Sequence, residues 1–240
     1  MNGATRTSLP GFWAVIPAAG IGARMAADRP KQYLPVVGLT ILEHSLNCFL
    51  DHPRLKGLVV ALAVDDPFWP TLACASDPRI ERAEGGRERA DSVLNALLRL
   101  AELGADEQDW VLVHDAARPN LARADLDKLL GSLVTDPVGG LLGIPARDTL
   151  KRVGADGRVL ETVDRRIIWQ AYTPQMFRLG ALRQALSAAL AAGATLTDEA
   201  SALEWSGQAP RLVEGRADNL KITHPEDLQW LIQHWRERDI

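Results

Sequence analysis

The sequence has few cysteines and no long apolar run. Only two of its 240 residues are cysteines, Cys48 and Cys74, too few for a disulfide framework or a four-cysteine zinc site. The five histidines show no HExxH spacing, so a histidine-built metal centre is not expected. No apolar run approaches the roughly 18 residues of a membrane span, and residues 1–10 lack a secretory core. These features predict a cytoplasmic protein with reduced thiols.

The chain also lacks a strong excess of either positive or negative charge. Lys and Arg total 27 against 31 Asp and Glu, which leaves a net charge of −4. A general nucleic-acid binder would show a strong basic bias, so that class is not expected. Hydrophobic residues make up 47% of the chain, enough for a full core, and disorder is therefore excluded. At roughly 100–200 residues per domain, the length allows one large domain or two small ones.

What the chain does contain is an alternation of short β-type runs and amphipathic helical segments. Strands are predicted at 12–16, 58–64, 110–113, 139–144, 211–213 and 220–222. Helices are predicted at 41–50, 88–103, 123–133, 179–192 and 198–205, with a closing helix that follows a capping box at 223–226. This order implies βαβ units and a mostly parallel sheet. We assign one α/β domain to residues 11–240, after a polar extension over residues 1–10.

One segment breaks this alternation. Residues 148–162 form two extended runs around Ala155, Asp156 and Gly157, a hairpin turn signal. The runs carry few large apolar side chains, so the hairpin should project from the core. On the residues alone, a solvated excursion and an arm that embraces another subunit are equally open. We delimit this β-arm as residues 146–165.

A loop of small residues follows the first predicted strand. Ala18, Ala19 and Gly20 would let backbone N–H groups approach a phosphate closely. The loop is not a Walker motif, and Met25 stands at the third glycine position of the dinucleotide fingerprint. The cations of Arg24 and of Lys31, just beyond the turn, favour a phosphate site. The plainer alternative is a glycine turn with solvated cations.

Asp115 follows the predicted strand at 110–113, and ligands in open α/β sheets gather outside the carboxyl ends of strands. A carboxylate there suits Mg²⁺, although an Asp that caps the next turn is the structural alternative. His114 is interpreted as a packed, hydrogen-bonded histidine rather than a catalytic base. Ser92 can bind a base or ribose, or serve as an ordinary helix serine. Lys221 lies in an apolar run, where a lysine usually points to solvent from an edge strand. An inward-pointing lysine there would be costly without an anion.

Eight motifs, in order along nearly the whole chain, resemble those of the 2-C-methyl-D-erythritol 4-phosphate cytidylyltransferase family. They are PAAGxGxRM (17–25), PKQY (30–33), GGxxRxDS (85–92), HDAARP (114–119), TVDR (162–165), TPQ (173–175), TDEAS (197–201) and VEGRADNxK (213–221). The resemblance implies a Rossmann-like nucleotidyltransferase that transfers CMP from CTP to a sugar-alcohol phosphate in the non-mevalonate isoprenoid pathway. It also implies a homodimer that exchanges the β-arm, so that Thr149 and Arg165 serve the partner's site.

Residue by residue, the resemblance implies four groups of site residues. They are Ala18, Ala19, Gly20, Gly86 and Ser92 for CTP; Arg24, Lys31, Arg165 and Lys221 for catalysis; Ala116, Arg118, Thr149 and Thr173 for the acceptor; and Asp115 for Mg²⁺. Arg87 stands where relatives carry an acidic residue and is left unassigned.

Three other functions compete with this one. A ribitol 5-phosphate cytidylyltransferase would share the glycine loop and the PKQ segment. An NAD(P)-dependent oxidoreductase would share the first strand and turn, but the third glycine and a Tyr-x-x-x-Lys pair are missing. A non-catalytic nucleotide-binding regulator would keep the turn but would have no need of Arg24, Lys31, Asp115 and Lys221 together.

Overall fold

A seven-stranded sheet organises the chain. The computed structural model describes residues 9–20 and 29–237. The strands of the sheet are β1 (Phe12–Pro17), β4 (Leu55–Leu62), β5 (Ile80–Glu84), β6 (Trp110–Val113), β7 (Gly139–Pro145), β10 (Trp169–Arg178) and β11 (Arg211–Glu214). Their order is β11-β7-β10-β6-β1-β4-β5. β10 runs antiparallel to β6 and β7, and the other neighbours are parallel, so the predicted mostly parallel α/β sheet is confirmed.

Six helices accompany the sheet in the described part of the chain. They are α1 (Ile41–Leu50), α2 (Arg89–Glu102), α3 (Arg123–Leu133), α4 (Leu179–Ala191), α5 (Glu199–Trp205) and α6 (Pro225–Arg236). Alternation along β1 divides the core into two layers, because successive side chains of a strand point to opposite faces. Phe12 and Ile16 pack with α1 and α3, whereas Val15 packs with α2 and α4. Both faces of the sheet are therefore covered by helices.

Two small two-stranded sheets complete the described structure. One joins β2 (Pro35–Val36) to β3 (Leu39–Thr40). The other joins β8 (Leu150–Val153) to β9 (Val159–Val163) as an antiparallel hairpin, which confirms the predicted hairpin at 148–162. Its turn contains Gly157 at φ +76°, a conformation that a residue without a Cβ adopts without strain. Apart from Leu150 and Val163, the strand residues of this hairpin are exposed.

Several local predictions were wrong. Residues 220–222 are not a strand, because they run beside the loop after β6, where Ile222 N donates to Ala117 O at 2.8 Å. The capping box before α6 lies one residue later than predicted: His224 is the N-cap and Asp227 the third helical residue. The strands β5 and β10 were missed. Over residues 9–20 and 29–237, none of the helices combines the length and the apolar character that a membrane span requires.

Candidate active site

The small-residue loop after β1 forms one wall of a cavity of about 350 Å³ at the carboxyl ends of the strands. Ala18 N donates to Ala61 O at 2.8 Å, which ties the start of the loop to β4. The side chain of Gln32 donates to the carbonyls of Ala18 and Gly20, at 2.7 and 3.0 Å. Gln32 was not among the predicted site residues, although it belongs to the PKQY motif. It fixes the loop by binding its carbonyl groups.

The opposite wall of this first cavity is the turn from β5 into α2. The hydroxyl of Ser92, which is buried, accepts from Gly86 N at 2.9 Å and donates to Glu88 O at 3.2 Å. A Cβ on Gly86 would lie 2.1 Å from the Cβ of Asp91, so only glycine fits here. Ser92 therefore shapes the turn as well as lining the cavity. All five residues predicted to bind the nucleotide line this cavity: Ala18, Ala19, Gly20, Gly86 and Ser92.

Asp115, at the end of β6, is surrounded by cations. Its Oδ1 lies 3.1 Å from Arg89 Nε, and its Oδ2 lies 3.0 Å from Lys221 Nζ and 3.4 Å from Arg118 Nε. Burial alone would raise the pKa of Asp115, but Arg89, Lys221 and Arg118 outweigh burial and hold that pKa well below its usual range. The Lys221 side chain remains 40% exposed, but it lines the cavity and pairs with Asp115.

Arg118 is a buried cation fixed on three sides. Besides its contact with Asp115, its Nη1 donates to Asn219 O at 2.7 Å, and its guanidinium lies 4.5 Å from the centre of the Tyr172 ring. The side chain of Asn219 in turn donates to Thr173 O at 2.9 Å. The segment that carries Lys221 is therefore bonded to both β10 and the loop after β6.

Arg89, which was not among the predicted site residues, belongs to the same charged cluster. It is the first residue of α2 and donates to both oxygens of Glu199, the first residue of α5, at 2.6 and 3.2 Å. Burial alone would lower the pKa of Arg89, but its carboxylate partners outweigh burial and raise that pKa. The local sequence gives only a weak signal: a cation in the first turn of a helix opposes the helix dipole, but its position does not indicate which anion pairs with it. In this cluster the cations outnumber the carboxylates, which suits an anionic ligand.

A second cavity of about 220 Å³ shares Arg89, Asp115 and Lys221 with the first. Its other lining residues include Arg118 and Thr173, both predicted to bind the acceptor. Ala116, predicted for the same role, lines the first cavity instead. Two cavities that meet at Asp115 and Lys221 can hold two ligands side by side.

The remaining predicted residues lie elsewhere. Thr149 and Arg165 line a separate cavity of about 510 Å³ on the β-arm. Lys31 lines the first cavity, and its Nζ donates to Ile222 O at 3.0 Å. Arg24 lies outside the described residues, as do residues 1–8 of the predicted extension.

A magnesium ion fits this site only if a bound phosphate and water supply most of its ligands. Among the described residues, no group of three His, Cys, Asp or Glu side chains is arranged to hold a metal. Mg²⁺ is usually bound through one or two carboxylates, and takes its other ligands from phosphates and water. The carboxylate of Asp115 offers about four lone-pair positions, of which three face cations. Asp115 can therefore make one direct bond to Mg²⁺.

The sheet, the small-residue loop and the paired cationic cavities define a Rossmann-like nucleotide-binding enzyme. The family model of IspD, 2-C-methyl-D-erythritol 4-phosphate cytidylyltransferase, matches residues 12–232. The chain belongs to this family and is a nucleotidyltransferase.

Individual relatives agree with this assignment. The chain is 75% identical over 230 residues to the 2-C-methyl-D-erythritol 4-phosphate cytidylyltransferase of Pseudomonas fluorescens (strain SBW25), covering 96% of this chain and 98% of the relative. The crystal structure of the Francisella tularensis enzyme of the same name superposes with a TM-score of 0.81 at 37% identity, over 94% and 99% of the two chains. The Thermus thermophilus enzyme gives 0.76 at 30% identity, again over 94% and 99%.

Proposed function

We propose that the protein transfers CMP from CTP to 2-C-methyl-D-erythritol 4-phosphate, with release of pyrophosphate, in the non-mevalonate isoprenoid pathway. The product is 4-diphosphocytidyl-2-C-methyl-D-erythritol. The observation that carries this proposal is the pair of cavities that share Arg89, Asp115 and Lys221. A nucleotide in the first and a sugar-alcohol phosphate in the second would meet at these charges.

The reaction needs no general base from the protein. A phosphate monoester has its second pKa near 6, so the attacking oxygen is already charged at neutral pH. It forms a bond to the α-phosphorus of CTP, while the bond from that phosphorus to the bridging oxygen of the β-phosphate breaks. The difficulty is the approach of two anions. Arg24 and Lys31 stabilise the charge at the α-phosphate, and Lys221 and Arg165 position the acceptor phosphate.

The other assignments follow the two cavities. Ala18, Ala19, Gly20, Gly86 and Ser92 bind CTP, and Ala116, Arg118, Thr149 and Thr173 bind the acceptor. Asp115 would hold Mg²⁺, which supplies charge neutralisation of the triphosphate when bound. Removal of Mg²⁺ with EDTA should abolish turnover, and added Mg²⁺ should restore it. Retained turnover in EDTA would remove the metal from the mechanism.

Thr149 and Arg165 lie in a cavity of their own, and we propose that each arm completes the site of a partner in a homodimer. We place the protein's action in the cytoplasm, because two cysteines are too few for the disulfide framework that is typical of small secreted proteins.

The decisive experiment measures pyrophosphate release for each nucleotide with each acceptor. We expect release with CTP and 2-C-methyl-D-erythritol 4-phosphate. Release with ribitol 5-phosphate but not with methylerythritol phosphate would assign the alternative acceptor. Binding of CTP without release of pyrophosphate under any condition would indicate a regulator instead of an enzyme.

Lys31→Ala tests the charge-stabilisation mechanism. The ammonium group lines the first cavity, and its loss should lower kcat by about 10²–10³, as for other transition-state charge contacts. Arg24→Ala should behave similarly. Steady-state kinetics and thermal unfolding should show the loss of kcat with a small change in Tm. Near-normal turnover in either variant would remove that residue from the mechanism.

A further inference from the structure

His114 is a buried side chain that the proposed mechanism does not use. Its ring is fully buried beneath the loop after β6 and stacks edge-on against Phe49, with 5.2 Å between ring centres. Nε2 lies 2.9 Å from Arg118 O, and Nδ1 lies 3.0 Å from the hydroxyl oxygen of Thr173. His114 therefore connects two residues that line the second cavity.

The partners of the ring fix the direction of each hydrogen bond. A carbonyl oxygen can only accept, so Nε2 carries the proton that bonds Arg118 O. Neither ring nitrogen bonds a carboxylate of a described residue, and a fully buried imidazole without such a partner is neutral. A neutral ring has one N–H, so Nδ1 is an acceptor. The hydroxyl of Thr173 must then donate its only proton to Nδ1.

One of the two lone pairs on the Thr173 hydroxyl oxygen is also used in a hydrogen bond. The oxygen accepts from Asp115 N at 3.1 Å. A hydroxyl has one proton and two lone pairs, so one lone pair remains. The side chain lines the second cavity beside Arg118 and Lys221. Thr173 therefore has an acceptor to offer a ligand and no donor.

We propose that His114 is a positioning residue that makes Thr173 an obligate acceptor, so that the second cavity selects a phosphate ester carrying a free hydroxyl group. The cations bind the phosphate, and the Thr173 oxygen accepts from a hydroxyl of the same molecule. The inference rests on the proposed function for the identity of the acceptor. It adds that Thr173 accepts a hydrogen bond from a hydroxyl group of that acceptor, and that His114 fixes the direction of the bond.

The test compares 2-C-methyl-D-erythritol 4-phosphate with three analogues, each of which lacks one hydroxyl. With CTP saturating, kcat/KM should fall about five- to tenfold more for one analogue in the wild type than in Thr173→Val, as expected for one neutral hydrogen bond. Thr173→Ser keeps the hydroxyl and should keep the discrimination. Equal discrimination by the wild type and Thr173→Val against all three analogues would overturn the proposal.

The role of His114 is tested by His114→Asn and His114→Leu. Both lose the bond to Arg118 O, but only Asn keeps an amide oxygen near the position of Nδ1. Asn should therefore retain the discrimination and Leu should lose it, and Leu should add no further loss in a Thr173→Val background. Discrimination kept by both variants would overturn the role of His114.

The tautomer of His114 can be measured on the unmodified protein, whether or not either variant folds. ¹⁵N NMR of histidine-labelled wild-type protein should show His114 as the Nε2–H tautomer. The Nδ1–H tautomer or a doubly protonated ring would contradict the proposal. The proposed function fails separately, if the wild type releases no pyrophosphate from CTP and methylerythritol phosphate, because the tautomer is measured without substrate.

Discussion

At the scale of single residues, Glu199 illustrates how strongly this site depends on paired charges. Its side chain is 1% exposed and both of its oxygens accept from Arg89. Glu199→Gln keeps the size of the side chain but leaves the Arg89 guanidinium short of one anion. Breaking a buried pair costs about 3–5 kcal/mol, and about 2–3 kcal/mol is expected here because Arg89 keeps Asp115 and some solvent.

Denaturant unfolding of Glu199→Gln measures this cost. Glu204→Gln is the matched control, since Glu204 lies in the same helix α5 and is exposed. The control should stay within about 0.5 kcal/mol of the wild type. If the two variants were equally stable, the Arg89–Glu199 pair would not be a structural element of the site.

His52 makes a prediction about pH. It is buried, and its Nε2 lies 3.0 Å from Asp127 Oδ1. Burial lowers the pKa of His52 below its usual value, assisted by Arg123 and Arg54 and opposed by Asp127. Between about pH 7 and pH 5 the unfolded state therefore binds more protons than the folded state, and the free energy of unfolding falls as the pH falls.

His52→Gln removes this titration. The loss of unfolding free energy from pH 7 to pH 5 should be smaller in the variant than in the wild type, as measured by denaturant unfolding at a series of pH values. Parallel pH profiles for the two proteins would show that His52 has the same pKa in the folded and unfolded states.

How far the site could be predicted differs from residue to residue. For Lys221 the apolar run left two possibilities, a lysine exposed on an edge strand or an inward lysine paired with an anion. The structure has no strand there, and the 40% exposed ammonium group of Lys221 pairs with Asp115. Arg89 and Glu199 are 110 positions apart, and nothing in the local sequence of either residue indicates the other. The double hydrogen bonding of the Thr173 hydroxyl likewise depends on the packing of β10 beside β6.

At the scale of elements, the helices were predictable because their apolar residues recur at helical spacing, although the start of α6 was predicted one residue early. The helix over Ile41–Leu50 agrees with the prediction at both ends. The strand β10 was missed because Pro174 interrupts it, and the pairing with β7 shifts register between Ala171 and Gln175. The edge strand β5 has the sequence IERAE, and polar residues at an exposed edge give little strand signal.

The turn between β5 and α2 gives a prediction at this scale. Gly86→Ala would place a Cβ 2.1 Å from the Cβ of Asp91, so the turn must open and release the bond from Gly86 N to Ser92. We expect the unfolding free energy to fall by about 1–3 kcal/mol and the KM for CTP to rise at least about tenfold, equivalent to about 1.4 kcal/mol.

Gly131→Ala is the control for this substitution. Gly131 lies inside α3 with its nearest neighbour, a methyl group of Leu9, 3.6 Å from the added Cβ. Alanine there should stabilise the protein by about 0.5–1 kcal/mol and leave the KM for CTP unchanged. The two substitutions are expected to have opposite signs in thermal unfolding, and the same sign would refute the crowding argument at Gly86.

At the scale of the whole molecule, the β-arm is the feature that the isolated chain leaves unexplained. Its apolar side chains are open to solvent: Leu160 is 65% exposed and Val153 and Val159 are also exposed, and Ile167, two residues beyond the arm, is 77% exposed. Clustered exposed apolar residues are typical of protein–protein contact surfaces. Thr149 and Arg165 on the same arm line a cavity that contains no other predicted site residue. Both observations are accounted for if a second copy of the chain receives the arm.

Mixing two inactive variants tests whether active sites are shared between subunits. Lys221→Ala should disable the site of its own subunit, whereas Arg165→Ala should disable only the site that its arm serves. In a mixed dimer, the Arg165→Ala subunit keeps Lys221 and receives an intact arm from its partner, so one of the two sites is complete.

Random assembly of equal amounts makes half of the dimers mixed, so about one quarter of wild-type activity should return after subunit exchange. If each arm served its own subunit, every site in every dimer would lack either Lys221 or Arg165, and mixing would restore nothing. The fraction of activity recovered in a pyrophosphate-release assay therefore distinguishes shared sites from independent ones. Ile167→Asp should weaken the association of subunits and so reduce the recovered activity.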